Sequence, residues 1–188
     1  MIDPADIAPE RMRPLRRTEY DRLVEAGVFE NERIELLYGQ LVERNPQLAP
    51  HAEATRRLTA ILVPALSGRA VVQIQSPFAA SDDSEPEPDV AVLPLGDYSR
   101  DHPSRAYLVI EVAYTSRAKD LNVKTRLYAQ SDVQEYWVVD IRERCVIVAQ
   151  RAVGGAFTKI SRHGERATVR LAAFRDVAMR VRDILPTR

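Results

Sequence analysis

An acidic residue interrupts the most apolar stretch of this chain, and it limits what the chain can fold into. The run YLVIEVA has the composition of a strand buried on both faces, and Glu111 lies within it. Strands of this kind occur in sheets that helices cover on both sides. A buried carboxylate costs several kcal/mol unless it is protonated, paired with a cation or bound to a metal ion. Glu111 therefore predicts either a salt bridge to an arginine or a functional site within the sheet.

Other apolar runs predict further strands with helices between them. The fold class is therefore α/β or α+β, although strand order does not follow from the runs alone. The predicted strands are AVVQIQSPFAA, DVAVLPL, EYWVVDI and CVIVAQ, one or two around FTKISRH and ATVRL, and a hairpin in RIELLYGQLVER around Tyr38-Gly39. Helices are predicted in TEYDRLVEAG up to Gly27, from about His51 to Ser67-Gly68 with Pro64 kinking or shortening it, and over 120–131.

The length of 188 residues predicts one domain. Residues 1–17 are expected to form an N-terminal arm, and residues 18–188 a single domain without linkers or repeats. No apolar stretch approaches about 18 residues, so no membrane span is expected. The N-terminus lacks the basic start and apolar centre of a secretion signal, which predicts a cytoplasmic protein. The single cysteine, Cys145, excludes a disulfide or a cysteine-based zinc site within one chain.

The net charge gives no bulk indication of nucleic-acid binding. Twenty-seven basic and 27 acidic residues cancel, whereas a domain that binds nucleic acid through overall electrostatics is strongly basic. Four arginines cluster in the arm, either as a solvated segment or as a phosphate-contacting patch: Arg11, Arg13, Arg16 and Arg17. Binding of nucleic acid would require local patches or metal ions that offset the phosphate charge.

Asp89 is a second acid, placed at the start of an apolar strand. It follows Pro86-Glu87-Pro88, and prolines at alternate positions stiffen the approach and restrict where the aspartate points. An aspartate after proline is also common in turns. Together with Glu111 on a later strand, however, Asp89 forms a pair of hard oxygen ligands that suits Mg²⁺ or Mn²⁺.

Lys124 lies on the apolar face of a predicted helix. At about 100° per residue, the helix over 120–131 places Val123 and Leu127 on the same apolar arc. A lysine in this position either snorkels to the edge of the arc or meets a carboxylate or a phosphate. Asp120, one turn earlier, is a candidate partner or a helix cap.

Three further polar residues are ambiguous on local pattern alone. Glu35 alternates with apolar neighbours in a strand-like run, which by itself favours a surface-facing side chain. His51 begins a predicted helix, where a capping or structural role is more common than catalysis. Asp140 ends the run YWVVD, where a role in a turn is favoured.

These residues lie in motifs that resemble the Uma-two (Uma II) family of predicted endonucleases, part of the restriction-endonuclease-like PD-(D/E)XK superfamily. The motifs, in chain order, are ERIELLYGQLVE, Pro50-His51, SEPEPDVAVL, YLVIEVAYTSRAKDLNVKTRLYA and VQEYWVVD. Each is short, but five in the same order make the resemblance specific, and it runs from about Glu19 to the C-terminus. It implies a four-stranded mixed sheet flanked by helices, often extended by extra strands.

The resemblance also implies a metal-dependent site. Asp89 and Glu111 would bind one or two Mg²⁺ or Mn²⁺ ions, with the backbone carbonyl of Val112 as a further ligand. Glu35 would bind a second ion directly or through water. The implied reaction is hydrolysis of phosphodiester bonds in nucleic acid, with DNA as the expected substrate, and analogy with the superfamily suggests a homodimer.

The catalytic lysine departs from the usual superfamily spacing. That lysine normally follows the second acid by two residues, where this chain has Ala113. Members of the resembled family take it from the following helix, which corresponds to Lys124. Many relatives carry a polar residue after EVA where this chain has Tyr114, a change that concerns substrate detail more than metal binding. Ser116 either supplies a hydroxyl near the site or begins a helix.

Two alternatives to a nuclease remain open. The same fold can serve as a nucleic-acid or protein interaction module without cleavage. A purely structural domain would instead pair Lys124 with Glu111 or Asp89 in a metal-free network of ion pairs. The sequence identifies no recognition site and contains no helix-turn-helix or zinc module.

Overall fold

A computed structural model describes residues 13–187 of the chain. In this range the strands are β1 (Ile34–Leu37), β2 (Gln40–Glu43), β3 (Val71–Ile74), β4 (Val90–Leu93), β5 (Arg105–Ala106), β6 (Leu108–Ala113), β7 (Asp132–Val133), β8 (Glu135–Asp140), β9 (Cys145–Val153), β10 (Ala156–Gly164), β11 (Thr168–Arg170) and β12 (Ala178–Arg180). The helical segments are α1 (Arg17–Glu25), α2 (Ala49–Leu66), a π-helical turn (Lys119–Lys124), α3 (Thr125–Gln130) and α4 (Val181–Ile184).

A six-stranded mixed sheet forms the centre of the fold, in the order β10-β9-β8-β6-β4-β3. Strands β6 and β8 are parallel, and the π-helical turn and α3 lie in the connection between them. The other neighbouring strands of this sheet are antiparallel. The short strands pair outside it, as β1 with β2, β5 with β7 and β11 with β12. The predicted class, a mixed sheet flanked by helices and extended by extra strands, is confirmed.

Helices cover both faces of this sheet, as the apolar run around Glu111 predicted. On one face α2 packs Leu58 and Leu62 into a core that includes Ile110 and Trp137. On the other face Tyr128 of α3 joins a second core with residues of β6 and β8. All six residues of β6 are buried, so any charge on this strand lies inside the protein.

The hairpin predicted around Tyr38-Gly39 is confirmed as the turn between β1 and β2. Both residues have positive φ, 50° and 73°, as a tight hairpin turn between twisted strands requires. Glycine is needed at the second position for another reason as well. A Cβ atom at Gly39 would lie 2.2 Å from Cβ of Pro14, so the segment before α1 packs directly on the turn.

Some predicted boundaries were wrong. The predicted end of α2 at Ser67-Gly68 is confirmed, but Pro64 does not shorten the helix, because a proline so near the end removes one hydrogen bond without a further turn to disrupt. The strand predicted over AVVQIQSPFAA ends after four residues, where Gln75 takes a positive φ of 46°. The helix predicted over 120–131 begins as a π-helical turn and becomes α-helical at Thr125.

The predicted N-terminal arm lies largely outside the described residues, which include Arg13 but not Arg11. Within them, Arg13 and Arg17 form ion pairs with acids of α1 rather than standing free. Within residues 13–187 no helix combines the length and apolar character that crossing a membrane requires.

Candidate active site

Two carboxylates meet at the junction of β4 and β6. The two strands are antiparallel with Val90 opposite Ile110, so the same register places Asp89, just before β4, opposite Glu111. Side chains directly opposite in an antiparallel pair lie on the same face of the sheet. The backbone N–H of Val112 donates a hydrogen bond of 2.8 Å to Asp89 Oδ2, which fixes the aspartate against β6. Both acids are buried and line one small cavity of about 50 Å³.

Lys124 inserts between two of the buried acids. Its Nζ atom lies 2.8 Å from Oε1 of Glu111 and 3.0 Å from Oε2 of Glu35. The side chains of Lys124 and Glu35 are 3% and 0% exposed, so the lysine does not snorkel, and Glu35 does not face solvent as its local pattern alone had favoured. The four residues predicted for the site, Asp89, Glu111, Glu35 and Lys124, therefore converge from four separate segments.

The π-helical turn explains how a second lysine reaches the same acid. Nζ of Lys119 lies 2.6 Å from Oε1 of Glu35, whose other oxygen pairs with Lys124. Hydrogen bonds in a π-helix join residues five apart, and Lys119 and Lys124 have this separation. The winding of this turn therefore directs both lysines towards one carboxylate.

Neighbouring polar groups hold the central residues in place. The Tyr128 hydroxyl donates a 3.0 Å hydrogen bond to the same Glu111 oxygen that Lys124 contacts. Asp120 is buried beside them and accepts a hydrogen bond from the Ser116 hydroxyl. The structure shows both roles considered for Ser116, because its hydroxyl lies close to the site and the helical segment begins at the next residue. Of the two roles considered for Asp120, the structure shows a buried acid that neighbours Lys124 electrostatically.

The electrostatics of the site separate its acids into two groups. Burial and the neighbouring acids raise the pKa of Glu111 to about 8, against the opposing attraction of Lys124. Burial likewise raises the pKa of Asp120. Burial would also raise the pKa of Glu35, but Lys124 and Lys119 outweigh it and hold that pKa at about 2. Glu111 is therefore the group that needs further positive charge.

The donor set has the chemistry that a hard divalent cation prefers, but its side chains are not grouped around one position. Four buried acids lie near two lysines, and a divalent ion would have to displace the proton that burial favours on Glu111 in order to bind there. Carboxylate oxygens are the ligands that Mg²⁺ and Mn²⁺ prefer. Across residues 13–187, however, no three histidine, cysteine, aspartate or glutamate side chains are grouped closely enough to hold a metal ion. The ammonium group of Lys124 occupies the space between Glu35 and Glu111, so the predicted metal site stays a prediction.

His51 is a site residue whose local pattern pointed elsewhere. Its Nε2 atom lies 3.0 Å from Oδ2 of Asp89, and this contact helps to keep the pKa of the buried aspartate low against the effect of burial. Its other ring nitrogen, Nδ1, is buried without a hydrogen-bond partner among the described residues. The available signal was the Pro50-His51 pair among the five ordered motifs, since a histidine at a helix start is otherwise unremarkable.

Two more residues near the site can now be placed. Asp140 has the predicted turn role, because its Oδ1 accepts a hydrogen bond of 3.0 Å from the backbone N–H of Glu143. Its other carboxylate oxygen forms an ion pair with Arg117. Tyr114 lines the cavity, and the guanidinium of Arg142 lies 5.0 Å from the centre of its ring. The ring is thus held at the mouth of the site by a cation–π contact.

Comparison with known proteins gives a family and a similar fold. A family model for Uma2, described as a putative restriction endonuclease, matches residues 17–182. A crystal structure of a putative nuclease belonging to DUF820 from Anabaena variabilis is similar with a TM-score of 0.74 and 14% sequence identity, over 91% of this chain and 97% of that one. At this identity the likeness supports the fold alone. No curated protein matches significantly.

The family match covers most of the chain and includes every residue of the buried cluster. Its boundaries also contain the whole six-stranded sheet. This chain belongs to the Uma2 family of putative restriction endonucleases.

Proposed function

We propose that the protein is a Mg²⁺- or Mn²⁺-dependent endonuclease that hydrolyses phosphodiester bonds of nucleic acid, with DNA as the substrate. The observation that carries this proposal is the insertion of Lys124 among buried acids that include Glu111, with Asp89 opposite Glu111 on the neighbouring strand. A buried cluster of this charge is costly to fold, which favours a functional reason for its presence.

Asp89, Glu111 and the backbone carbonyl of Val112 would hold the metal. Glu111 Oε1 accepts two hydrogen bonds, from Lys124 and from Tyr128, so Oε2 is the oxygen we assign to the ion. The backbone N–H of Val112 points to Asp89. In a strand, the N–H and C=O of one residue face the same neighbouring strand, so the Val112 carbonyl is also directed towards Asp89. When bound, the ion lowers the pKa of a coordinated water and stabilises charge on the phosphate.

The chain's own residues would orient and neutralise the reacting groups. Lys124 carries a positive charge in a water-poor site, where a fixed donor stabilises developing negative charge more strongly than in water. In this proposal the ammonium group of Lys124 contacts a phosphate oxygen or orients the attacking water. Tyr128 holds Glu111 in position through a hydrogen bond to its carboxylate. Glu35, which two lysines keep ionised, would bind a second ion directly or through water.

The test is cleavage of plasmid and linear DNA with Mg²⁺, with Mn²⁺ and with EDTA. Wild type is compared with Asp89→Ala and Glu111→Ala, and with Glu32→Gln, an exposed glutamate, as the matched control. We expect both alanine variants to lose about 10²–10³-fold in rate, as enzymes do when a group that stabilises the transition state is removed. Equal metal-dependent activity in wild type, Asp89→Ala and Glu111→Ala would end the proposal.

A catalytically silent interaction module is the second candidate. The zero net charge favours it, whereas the ion pair of Lys124 with Glu111 is the one expected of a purely structural domain. Calorimetric titration with Mn²⁺ separates the two, because an enzyme must bind the ion and a silent module need not.

We also propose that the protein is a homodimer in the cytoplasm, because two active sites would serve cleavage of both strands of a duplex. Sedimentation analysis reports the oligomeric state.

A further inference from the structure

A cavity outside the candidate active site is lined by four cations and by no acid. It has a volume of about 520 Å³. Its cations come from β9, β10, β11 and the connection between β11 and β12, and they are Arg151, Lys159, Arg170 and Arg175. The other residues of the lining carry no charge. The cavity of the active site, in contrast, is lined by three acids. We call the cavity with the four cations the basic cavity.

The four cations of the basic cavity have no carboxylate partner. All four residues are exposed, and within residues 13–187 no acid lies close enough to any of them to form an ion pair. Other exposed arginines do have such partners. Arg105 lies 2.6 Å from Asp132, and Arg162 lies 3.0 Å from Glu143. Like charges in one cavity repel each other when no counter-charge separates them, so the basic cavity favours an anionic partner from outside the chain.

One acid lies beneath the basic cavity, and both of its oxygens are already occupied. Glu135 is fully buried, and it accepts hydrogen bonds from the side-chain amide of Gln150 at 2.6 Å and from the backbone N–H of Ala172 at 2.8 Å. Gln150 and Ala172 both line the cavity. Glu135 therefore holds two walls of the cavity together. Its formal charge offsets only one of the four cations, so a positive excess remains.

The phosphate backbone of a nucleic acid matches the basic cavity. It presents one negative charge about every 3.4 Å along each strand, and arginine binds phosphate through paired hydrogen bonds. The lining of the basic cavity includes no aromatic side chain on which a base could stack. We propose that the basic cavity binds the phosphate backbone of the nucleic-acid substrate without regard to its base sequence. The cavity is the kind of local patch that a chain of zero net charge needs in order to bind a polyanion.

The basic cavity and the active site lie towards opposite ends of the central sheet. Strands β6 and β8 are parallel, and Tyr114 of the active-site cavity follows β6, whereas Gln134 of the basic cavity precedes β8. Glu111 is opposite Val138, so about 13 Å along β8 separates it from Gln134, and β9 lies about 10 Å across the sheet from β6. The two sites are therefore roughly 16 Å apart, about five nucleotide steps along one strand. That the bound nucleic acid is also the one cleaved rests on the proposed function, whereas binding itself does not.

The experiment measures how strongly salt weakens binding in EDTA, where no metal-dependent cleavage occurs. Fluorescence anisotropy gives the association constants of two labelled DNA duplexes of unrelated sequence between about 50 and 200 mM NaCl. Each phosphate contact contributes about −0.9 to the slope of log K against log salt concentration. Arg170→Gln/Arg175→Gln removes two contacts and should therefore make the slope shallower by about 1.8. The change should be the same for both duplexes, because phosphate contacts carry no sequence information.

Arg22→Gln/Arg100→Gln is the matched control. It removes the same charge from two exposed arginines that lie outside the basic cavity and form no ion pair with another described residue. The slope of this variant should equal that of wild type. An unfolded fraction lowers the apparent affinity without changing the slope, so a loss of folding cannot imitate the expected result.

Three results would overturn the proposal. The first is an equal slope, or no binding of either duplex, in wild type and Arg170→Gln/Arg175→Gln. The second is an equal loss of slope in the control, which would indicate net charge alone. The third is binding of poly-glutamate that depends on the two arginines while binding of DNA does not, because the partner would then be an acidic protein.

The two proposals fail separately. A slope that depends on Arg170 and Arg175, without metal-dependent cleavage by wild type, would remove the nuclease and keep the nucleic-acid surface. Cleavage that depends on Asp89 and Glu111, with equal slopes in wild type and the double variant, would remove the surface and keep the nuclease.

Discussion

Glu111 should make the metal-free protein less stable as the pH rises. Its pKa is about 8 in the folded protein, because it is buried among other acids, against an ordinary value of 4.5 when the chain is unfolded. Between these values the folded state holds one proton more than the unfolded state. The free energy of unfolding therefore decreases with rising pH, by about 1.4 kcal/mol per pH unit.

The size of this effect is measurable. Between pH 6 and pH 7.5 the loss amounts to about 2 kcal/mol, which lowers the melting temperature of a domain of this size by roughly 4–8 °C. Glu85, with a pKa of about 7, contributes in the same direction. Glu35, held at about 2, titrates well below this range. The contribution of Glu111 is therefore obtained by measuring how the melting temperature changes with pH in wild type and in Glu111→Gln, and taking the difference. Glu32→Gln is the control.

Mn²⁺ should reverse the trend if Glu111 is a ligand. Binding then displaces the proton, so the apparent affinity should increase about tenfold per pH unit up to pH 8. At a concentration of about 100 times Kd the ion would add about 2.7 kcal/mol, or roughly 5–10 °C. Thermal melts at pH 6 and pH 7.5, with EDTA and with Mn²⁺, measure both the loss of stability of the metal-free protein and the stabilisation by the ion. A metal-free melting temperature that is flat or rises between pH 6 and pH 7.5 refutes the reasoning, as do equal slopes in wild type and Glu111→Gln.

Two substitutions test other parts of the structure. Lys124→Met removes the cation from buried Glu35 and Glu111 and should cost about 3–5 kcal/mol in EDTA by denaturant unfolding. The loss should shrink when Mn²⁺ saturates the site, and an equal loss with and without Mn²⁺ would indicate a purely structural ion pair. Gly39→Ala should cost about 1–3 kcal/mol, because φ is 73° and the new Cβ meets Pro14; unchanged stability would show that the contact is not formed.

The sequence predicted the parts of the site that break a local pattern. Glu111 within an apolar run and Lys124 on an apolar helical face were both anomalous for buried positions, and both lie in the buried cluster. Asp89 was identified by its stiff proline-bearing approach. In these cases the cost of burying a charge made a single residue informative.

Other parts depended on contacts between distant segments. Glu35 had an ordinary alternating pattern, and contacts between distant segments, such as the pairing of Leu36 with Glu85, bring its strand against the segment that carries Asp89. Lys119 was not among the predicted site residues, because an α-helical projection turns it away from Lys124. No residue type marks a π-helical turn, so the convergence of both lysines on Glu35 could not be predicted from local preferences.

The π-helical turn has a consequence for variation at this position in the chain. A π-helical turn differs from an α-helical one by a single extra residue, so deleting one residue between the lysines would let the segment rewind as an α-helix. The two lysines would then lie four residues apart, about 40° from each other around the helix axis, and both could still face Glu35. The undeleted segment wound as an α-helix would instead place them about 140° apart and turn one ammonium group away from that carboxylate. Charge balance around Glu35 therefore depends on the match between the length of the segment and its winding as much as on the identity of its residues.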